Sequence, residues 1–535
     1  MTGAMRRFPF LADAEAIRLV CHPDAMTPDA NPLLGPLPGV GGFWVAAGLS
    51  LNGFGAGGGI GQALAGWITA GDPGVDIGPY RAWRFGETYR DPVFAAGLAR
   101  ETYADYYRLR YPFDADVAGR PRRLSALHGR LQEAGAVFGT KAGWERADHF
   151  EPGQPWRRAG RDQAGWGWTQ PPWFERVCEE GRAVRERAGI IDLSSFGKIA
   201  VEGPGALGLL QRVSANDIDR PVGSVVYTQW CNERGGIVAD VTVTRVADDR
   251  FRVVTGAGYV ASDLAWLRVH AGEAGPDGVA IVDVSGDLAT IGLWGPRARE
   301  ILATATPDDV GGVAIPVRRA RDIQVGSATV NAARISYAGE LGWELTTESA
   351  WAVEIWDRLR AAGLQAGLEP FGYRALDGLR MEKGYRYFGT DLTMLDTPFE
   401  AGLGAFVRLE AGDFIGRDAL VRARDAHIES GQERDQEPGQ EPGHVGPSRR
   451  LRTVVIGEAD YLPVYGGEAV RRDGEIIGRL RSVAYGATVR RTIGYVYCHP
   501  TAAEGERLEI DVLGWRAPAV IAPDVLVDPL GTRVR

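Results

Sequence analysis

In the stretch GGIVADVTVTR at residues 235–245, one carboxylate, Asp240, interrupts an otherwise apolar strand pattern. Read with a period of two, Ile237, Ala239, Val241 and Val243 share one face, and Val238, Asp240, Thr242 and Thr244 share the other. Asp240 therefore points away from the core, between hydroxyls, just after a Gly-Gly pair that lets another backbone come close. A carboxylate placed this way is either a seat for a polar ligand nitrogen or a solvated or salt-bridged strand residue, and the pattern leaves both readings open.

A second group lies in YAGELGWE at residues 337–344. Glu340, Glu344 and the Tyr337 phenol meet around one tight hairpin, a set able to accept N–H bonds from the amino and ring nitrogens of a heterocycle. The alternative is a solvated Glu340 in the turn and a core Tyr337. On a later helix Asp377, Arg380, Glu382 and Lys383 read as an exposed, ion-paired face. A third group is Asn52, Gly53, Phe54, Gly55, Ala56, Gly57 and Gly58, where residues 53–58 match G-x-G-x-x-G. That spacing suits a backbone cradle for a pyrophosphate at a helix start. However, Asp72, at the distance of a ribose-binding acid, sits in a Gly-Asp-Pro turn instead of at a strand end. A structural turn, or a turn against a flat ligand or a neighbouring strand, fits the glycines equally.

The elements that must position these groups belong to a long chain. Its 535 residues exceed one core and suggest roughly three or four domains, and 73 glycines with 31 prolines favour turns and strands over a helical bundle. A net charge of -9 repels phosphate backbones and argues against a nucleic-acid partner. The four cysteines show no CxxC spacing and the seven histidines no HxH or HxxxH pair, so reduced thiols and no metal site are expected. The longest apolar stretch, residues 40–51, is broken by glycines and falls short of a membrane span. Without an apolar signal segment near the N-terminus, the expected location is cytoplasmic.

Residues 1–86 read as two short strands (16–20 and 42–47), a glycine-rich turn and a helix over 61–70. Residues 91–144 are helix-like, and 151–172, rich in Pro, Gly and Trp, read as a linker. From 173 to 420 helices and strands alternate. Residues 237–246 and 250–255 form one hairpin and 334–337 with 343–347 a second; Ser349 then caps a helix that carries Trp351, Ile355 and Leu359 and ends at Gly363. Residues 424–450 are polar, acidic and free of aromatics, the composition of a disordered loop. From 451 onward, short strands with an Asp473-Gly474 turn suggest a small β-barrel.

Several of these words together resemble a known family. IDLSSFGK at 191–198, GGIVAD at 235–240, YAGELGWE at 337–344, LRMEKG at 379–384 and AGL at 401–403 are similar to the C-terminal two thirds of dimethylglycine and sarcosine dehydrogenases. The tail of that family is in turn similar to the glycine-cleavage T-protein, an aminomethyltransferase. The resemblance implies an α+β multidomain fold: 1–90 as the end of a FAD-dependent oxidoreductase domain, 91–170 as a connecting domain and linker, 171–423 as the folate-binding domain, 424–450 as the loop, and 451–535 as the barrel. It implies that Asp240 acts catalytically beside the folate nitrogen, as a carboxylate of ordinary pKa. It also implies that Val241, Thr242, Tyr337, Glu344 and Arg380 line the folate pocket, and that residues 52–58 form a flavin-facing loop.

The activity so implied is folate-dependent one-carbon transfer, giving 5,10-methylenetetrahydrofolate within an oxidative demethylase of methylated amines. Family members begin with a complete FAD domain, and this chain starts near that domain's end. Tetrahydrofolate is therefore the expected cofactor, and FAD only if the missing half is supplied, as by a flavoprotein partner in trans. As isolated, the chain is expected to bind folate without oxidising amines. The rivals are a stand-alone aminomethyltransferase and a non-catalytic folate-binding module.

Overall fold

The structure, a computed structural model, describes residues 2–535 apart from 16, 19–21, 39, 109–112, 161–168, 274–277, 433–448 and 459–460. Two antiparallel-dominated sheets form its centre. One has five strands in the order Ala280–Asp283, Gly197–Glu202, Arg250–Thr255, Ile237–Ala247, Val225–Cys231. The other has six, in the order Ala320–Val325, Ala328–Ala333, Gly342–Glu348, Leu288–Trp294, Ala188–Asp192, Leu368–Pro370, the last pair parallel.

Each sheet buries one apolar face under its own helices. Ile199, Val201, Val241, Val243, Phe251 and Val253 pack with Ala206, Leu209, Leu210 and Val213 of the helix Ala206–Val213. Ile291, Leu293, Val330, Ala332, Trp343 and Leu345 pack with Ile355, Trp356 and Leu359 of the helix Ala352–Gly363. The 3.6-residue spacing on the helices meets the two-residue spacing on the strands. The opposite, polar faces carry the candidate site.

A closed six-stranded barrel follows, Arg450–Ile456, Arg491–Cys498, Glu475–Gly486, Ala469–Arg472, Arg507–Val512 and Trp515–Ile521 in ladder order. Closure leaves no free strand edge. The Asp473-Gly474 turn has the two positive φ angles, 51° and 86°, that a tight hairpin requires.

Four expectations need correction. The glycine-rich run is no turn or loop: Gly53–Ala70 is a single helix, stopped by Gly71 at φ 68°. Residues 136–150 are a hairpin, Ala136–Lys141 with Trp144–Phe150, closed at Ala142 and Gly143 with φ of 50° and 81°. The segment 334–337 lies in the loop between Ala328–Ala333 and Gly342–Glu348, not in a strand. Finally, the helix Arg417–Gln432 runs into the supposed disordered loop, since adding residues to a nucleated helix is easier than starting one. The rest of that loop, 433–448, and part of the 16–20 strand lie outside the described residues. Among the described residues no helix is long and apolar enough to cross a membrane.

Candidate active site

Residues directly opposite in a ladder share a face. Asp240 is opposite Gln229, Thr242 is opposite both Tyr227 and Val254, Thr244 is opposite Arg252, and Val254 is opposite Lys198. On the other sheet Glu344 is opposite Gly292 and Ala333, and Thr346 is opposite Thr290 and Asn331. Arg252 of the first sheet hydrogen-bonds Asn331 of the second, so these two polar faces look at each other. The outcome is a polar cleft between sheets whose outer faces are apolar.

The alternation read from the sequence holds from Ala239 onward. A β-bulge opposite Trp230 and Cys231 absorbs Val238 into the helix-covered core and turns Ile237 toward Leu392, Ala401 and Leu403 instead. The Gly-Gly expectation is met at Gly236, where an added Cβ would stand 1.9 Å from the Met394 carbonyl oxygen.

Asp240 is half-buried, so it reaches the cleft without being walled off. Gln229 Nε2 donates to its Oδ1 at 2.9 Å, and the Tyr227 phenol also bonds it. Burial pushes its pKa up to about 6, against the lowering pull of those two partners. The carboxylate is thus not of ordinary pKa. Burial likewise raises the Tyr227 and Tyr337 phenols well above their usual value, leaving both neutral. Tyr227 packs edge-on against Phe406, ring centroids 4.8 Å apart. Tyr337 donates to the Arg386 carbonyl at 2.7 Å and stacks on Tyr385 at 5.8 Å with the planes 16° apart.

Glu344 is also half-buried, and burial raises its pKa to about 7 while Lys198 and Arg252 pull it down. Lys198 itself is buried, its Nζ donating to the carbonyls of Ser194 at 2.7 Å and Phe196 at 3.0 Å. Burial lowers its pKa to about 7. Two carboxyls and a lysine poised near neutrality in one cleft is the pattern of a functional site.

The structure thus gathers Asp240, Thr242, Tyr337 and Glu344. It does not gather the others. Val241 packs its side chain into the apolar core on the reverse of the sheet. Arg380, expected both at the pocket and on an exposed face, is buried, and its donors are spent on Asp377, Asp391, Ser482 and the Tyr385 carbonyl. It stands behind Tyr337 and bridges the helix Tyr373–Glu382 to the barrel. Glu382 and Lys383 are buried beside it, bonded to Arg185 and Asp528. Glu340 turns from Glu344 to pair with Arg185 and Arg533, each at 2.9 Å, and is neither solvated nor in the cleft.

Along residues 52–58, Asn52 accepts a bond from Tyr106 and Phe54 is exposed. A Cβ added at Gly55, Gly57, Gly58 or Gly59 would meet open space, so internal packing does not demand glycine there. The residues missed from sequence are Gln229, Tyr227, Lys198 and Arg252. Pairing residues 225–231 against the Asp240 strand would have found the first two. A separate cavity of about 200 Å³, lined by Trp173, Phe174, Arg374 and Tyr485 among others, is lined by none of the cleft residues named above. Among the described residues no cluster of His, Cys, Asp and Glu could hold a metal ion.

This architecture has known counterparts. The family model of the GCVT N-terminal domain matches residues 127–411, more than half of the chain, and that of the glycine cleavage T-protein C-terminal barrel domain matches 449–528. The chain belongs to the GCVT family. It is 34% identical over 530 residues to the 4-methylaminobutanoate oxidase (formaldehyde-forming) of Paenarthrobacter nicotinovorans, covering 98% of this chain and 61% of the relative. It is 32% identical over 539 residues to the mitochondrial dimethylglycine dehydrogenase of Homo sapiens, covering 100% of this chain and 59% of the relative. The chain therefore spans about three fifths of the length of these relatives. Among solved structures, the glycine cleavage system aminomethyltransferase T of Bartonella henselae matches with a TM-score of 0.61 and 25% identity, over 76% of this chain and 98% of that one.

Proposed function

We propose that the cleft between the two sheets binds tetrahydrofolate and transfers a one-carbon unit to it, yielding 5,10-methylenetetrahydrofolate. The unit would come from the oxidised N-methyl group of an amine of dimethylglycine or sarcosine type. The observation that carries this reading is Asp240: a carboxyl titrating near 6, open to a polar cleft and held by Gln229 and Tyr227, in a chain of the GCVT family.

The residues divide the work. Glu344, with Lys198 and Arg252 sustaining its charge, accepts N–H bonds from the amino-pyrimidine edge of the pterin, and Tyr337 and Thr242 close the pocket. The half-open carboxyls of Asp240 and Glu344 suit a ligand rich in N–H donors. Closing the methylene bridge would form two C–N bonds and release two N–H protons. Asp240 would take each as its nitrogen attacks and pass both to the departing oxygen of formaldehyde, lost as water, or one to the departing amine of an iminium donor and the other to solvent. Holding both reactants in one cleft supplies much of the acceleration.

Flavin chemistry, the oxidation that generates the donor, is assigned to FAD only where a flavin-binding portion accompanies this chain. Residues 52–58 are the proposed face toward it. Titrating tetrahydrofolate into the protein while recording its visible spectrum tests both halves. Saturable folate binding without a yellow chromophore is expected; no binding would refute the folate reading, and a stoichiometric flavin the second half. A second reading, transfer from a lipoyl carrier, draws on the match to almost the whole Bartonella aminomethyltransferase. Assaying transfer from an aminomethyl-lipoyl carrier against formaldehyde capture separates the two.

A further inference from the structure

Gln229 is fully buried on the strand Val225–Cys231, directly across the ladder from Asp240. Its Nε2 donates to Asp240 Oδ1 at 2.9 Å, while its Oε1, also buried, has no hydrogen-bond partner. Buried amide oxygens are almost always satisfied, and leaving one bare costs free energy that methionine or leucine in the same space would avoid. Packing alone therefore does not account for this side chain. The titratable groups facing Asp240 are the phenols of Tyr227, from the same strand as Gln229, and of Tyr337, from the loop of the opposite sheet; Arg380 and Asp391 stand beyond Tyr337. Tyr337 has its hydrogen committed to the Arg386 carbonyl. The Tyr227 hydroxyl, which bonds the Asp240 carboxyl, is donor and acceptor at a single oxygen and so shares the second role that a proton-accepting carboxyl creates.

That role is a change of polarity at one oxygen. As a carboxylate, Asp240 needs donors; once it has taken a proton from an attacking nitrogen, it presents a donor and needs an acceptor. An amide carries both functions at the two ends of one flat group of nearly constant shape, and its last torsion is broad and roughly two-fold.

We propose that Gln229 is a positioning residue that serves both protonation states of Asp240, donating through Nε2 to the carboxylate and, after a half-turn of the amide, accepting through Oε1 from the carboxylic acid. No bond to Gln229 forms or breaks; the proton stays between Asp240 and the reactants. The inference rests on the proposed function for its catalytic meaning, but its geometry can be tested in the free protein.

The experiment is a titration of the Asp240 carboxyl carbon by NMR in protein labelled with ¹³C-aspartate, assigned by its absence in Asp240→Asn, beside the side-chain amide signals of Gln229. Wild type is expected to titrate near 6, with the Gln229 amide moving at the same midpoint. In Gln229→Met the Asp240 midpoint rises by about one unit, a tenfold change, because a donor to the charged form is gone. The acid limb of the transfer rate follows it, with folate affinity changed less than about threefold. An unmoved Asp240 midpoint, or a Gln229 amide signal constant across the titration, overturns the inference whatever the folate result. Shifted midpoints in a protein that binds no folate would instead remove the proposed function and leave the pairing standing. Should Gln229→Met fail to fold, Gln229→Glu gives the same decision: two carboxyls sharing a proton titrate in two separated steps, and a single step near 6 contradicts the pairing.

Discussion

Arg252 reaches from the five-stranded sheet to hydrogen-bond Asn331 of the six-stranded sheet, and the same guanidinium pulls down the pKa of Glu344. One side chain thus ties the two polar faces together and bears on the charge between them. Arg252→Met is expected to lower stability by about 0.5–1.5 kcal/mol, the net worth of one hydrogen bond between half-buried partners. It should also move the Glu344 titration upward. Urea unfolding midpoints and carboxyl titration check the two effects; a loss of stability with Glu344 unmoved would separate them.

The two raised carboxyls also set how stability varies with pH. Asp240 rises from 3.8 to about 6 and Glu344 from 4.5 to about 7 on folding. The folded state therefore holds protons that the unfolded chain has released, and stability is lost as pH climbs from about 4 through 7. Glu180, raised to about 8 by burial, adds to the slope in the same sense. Asp240→Asn with Glu344→Gln should flatten that fall and be more stable than wild type at pH 8, where active-site charge is a burden on the fold. Urea midpoints at pH 5 and pH 8 decide it; equal slopes would mean the cleft carboxyls are as well solvated folded as unfolded.

Arg380 is expected to act on the fold and not on the ligand. Asp391, fully buried, depends on it for a cation at 3.2 Å. Arg380→Met should cost about 3–5 kcal/mol by leaving that charge unpaired. Under conditions where the variant remains folded, folate affinity should stay within a few-fold of wild type. A large loss of affinity in a fully folded variant would return Arg380 to the pocket.

Tyr337→Phe keeps the stack on Tyr385 and removes only the bond to the Arg386 carbonyl. A cost of about 1 kcal/mol in stability is expected, with a modest weakening of folate binding. A loss of transfer rate with unchanged affinity would instead make the phenol a participant in the chemistry.

What could be read from the sequence was local. The alternation around Asp240, the hairpin that follows it and the barrel turn at Asp473-Gly474 are set by near neighbours, and the structure keeps them. The charge partners were not legible, because Glu340, Glu382 and Arg380 are buried by segments more than a hundred residues away, such as those holding Arg185, Arg533 and Ser482. Exposed ion pairing is the commoner fate of such residues, and the sequence pattern followed it. The Val238 bulge escaped for a related reason: one extra residue in a strand leaves the apolar pattern looking unbroken. The glycines at 53–58 misled through propensity, since glycine disfavours helix by about 1 kcal/mol per residue, yet Gly53–Ala70 is helical throughout.

The most direct test of the central claim is to compare Asp240→Asn with wild type for both tetrahydrofolate affinity and the rate of methylene transfer to it. The amide keeps the shape and loses the proton acceptor, so transfer should fall by about 10²–10⁴-fold while affinity changes less than about threefold. Equal losses of both would make Asp240 a binding residue alone, and an undiminished transfer rate would remove it from the chemistry.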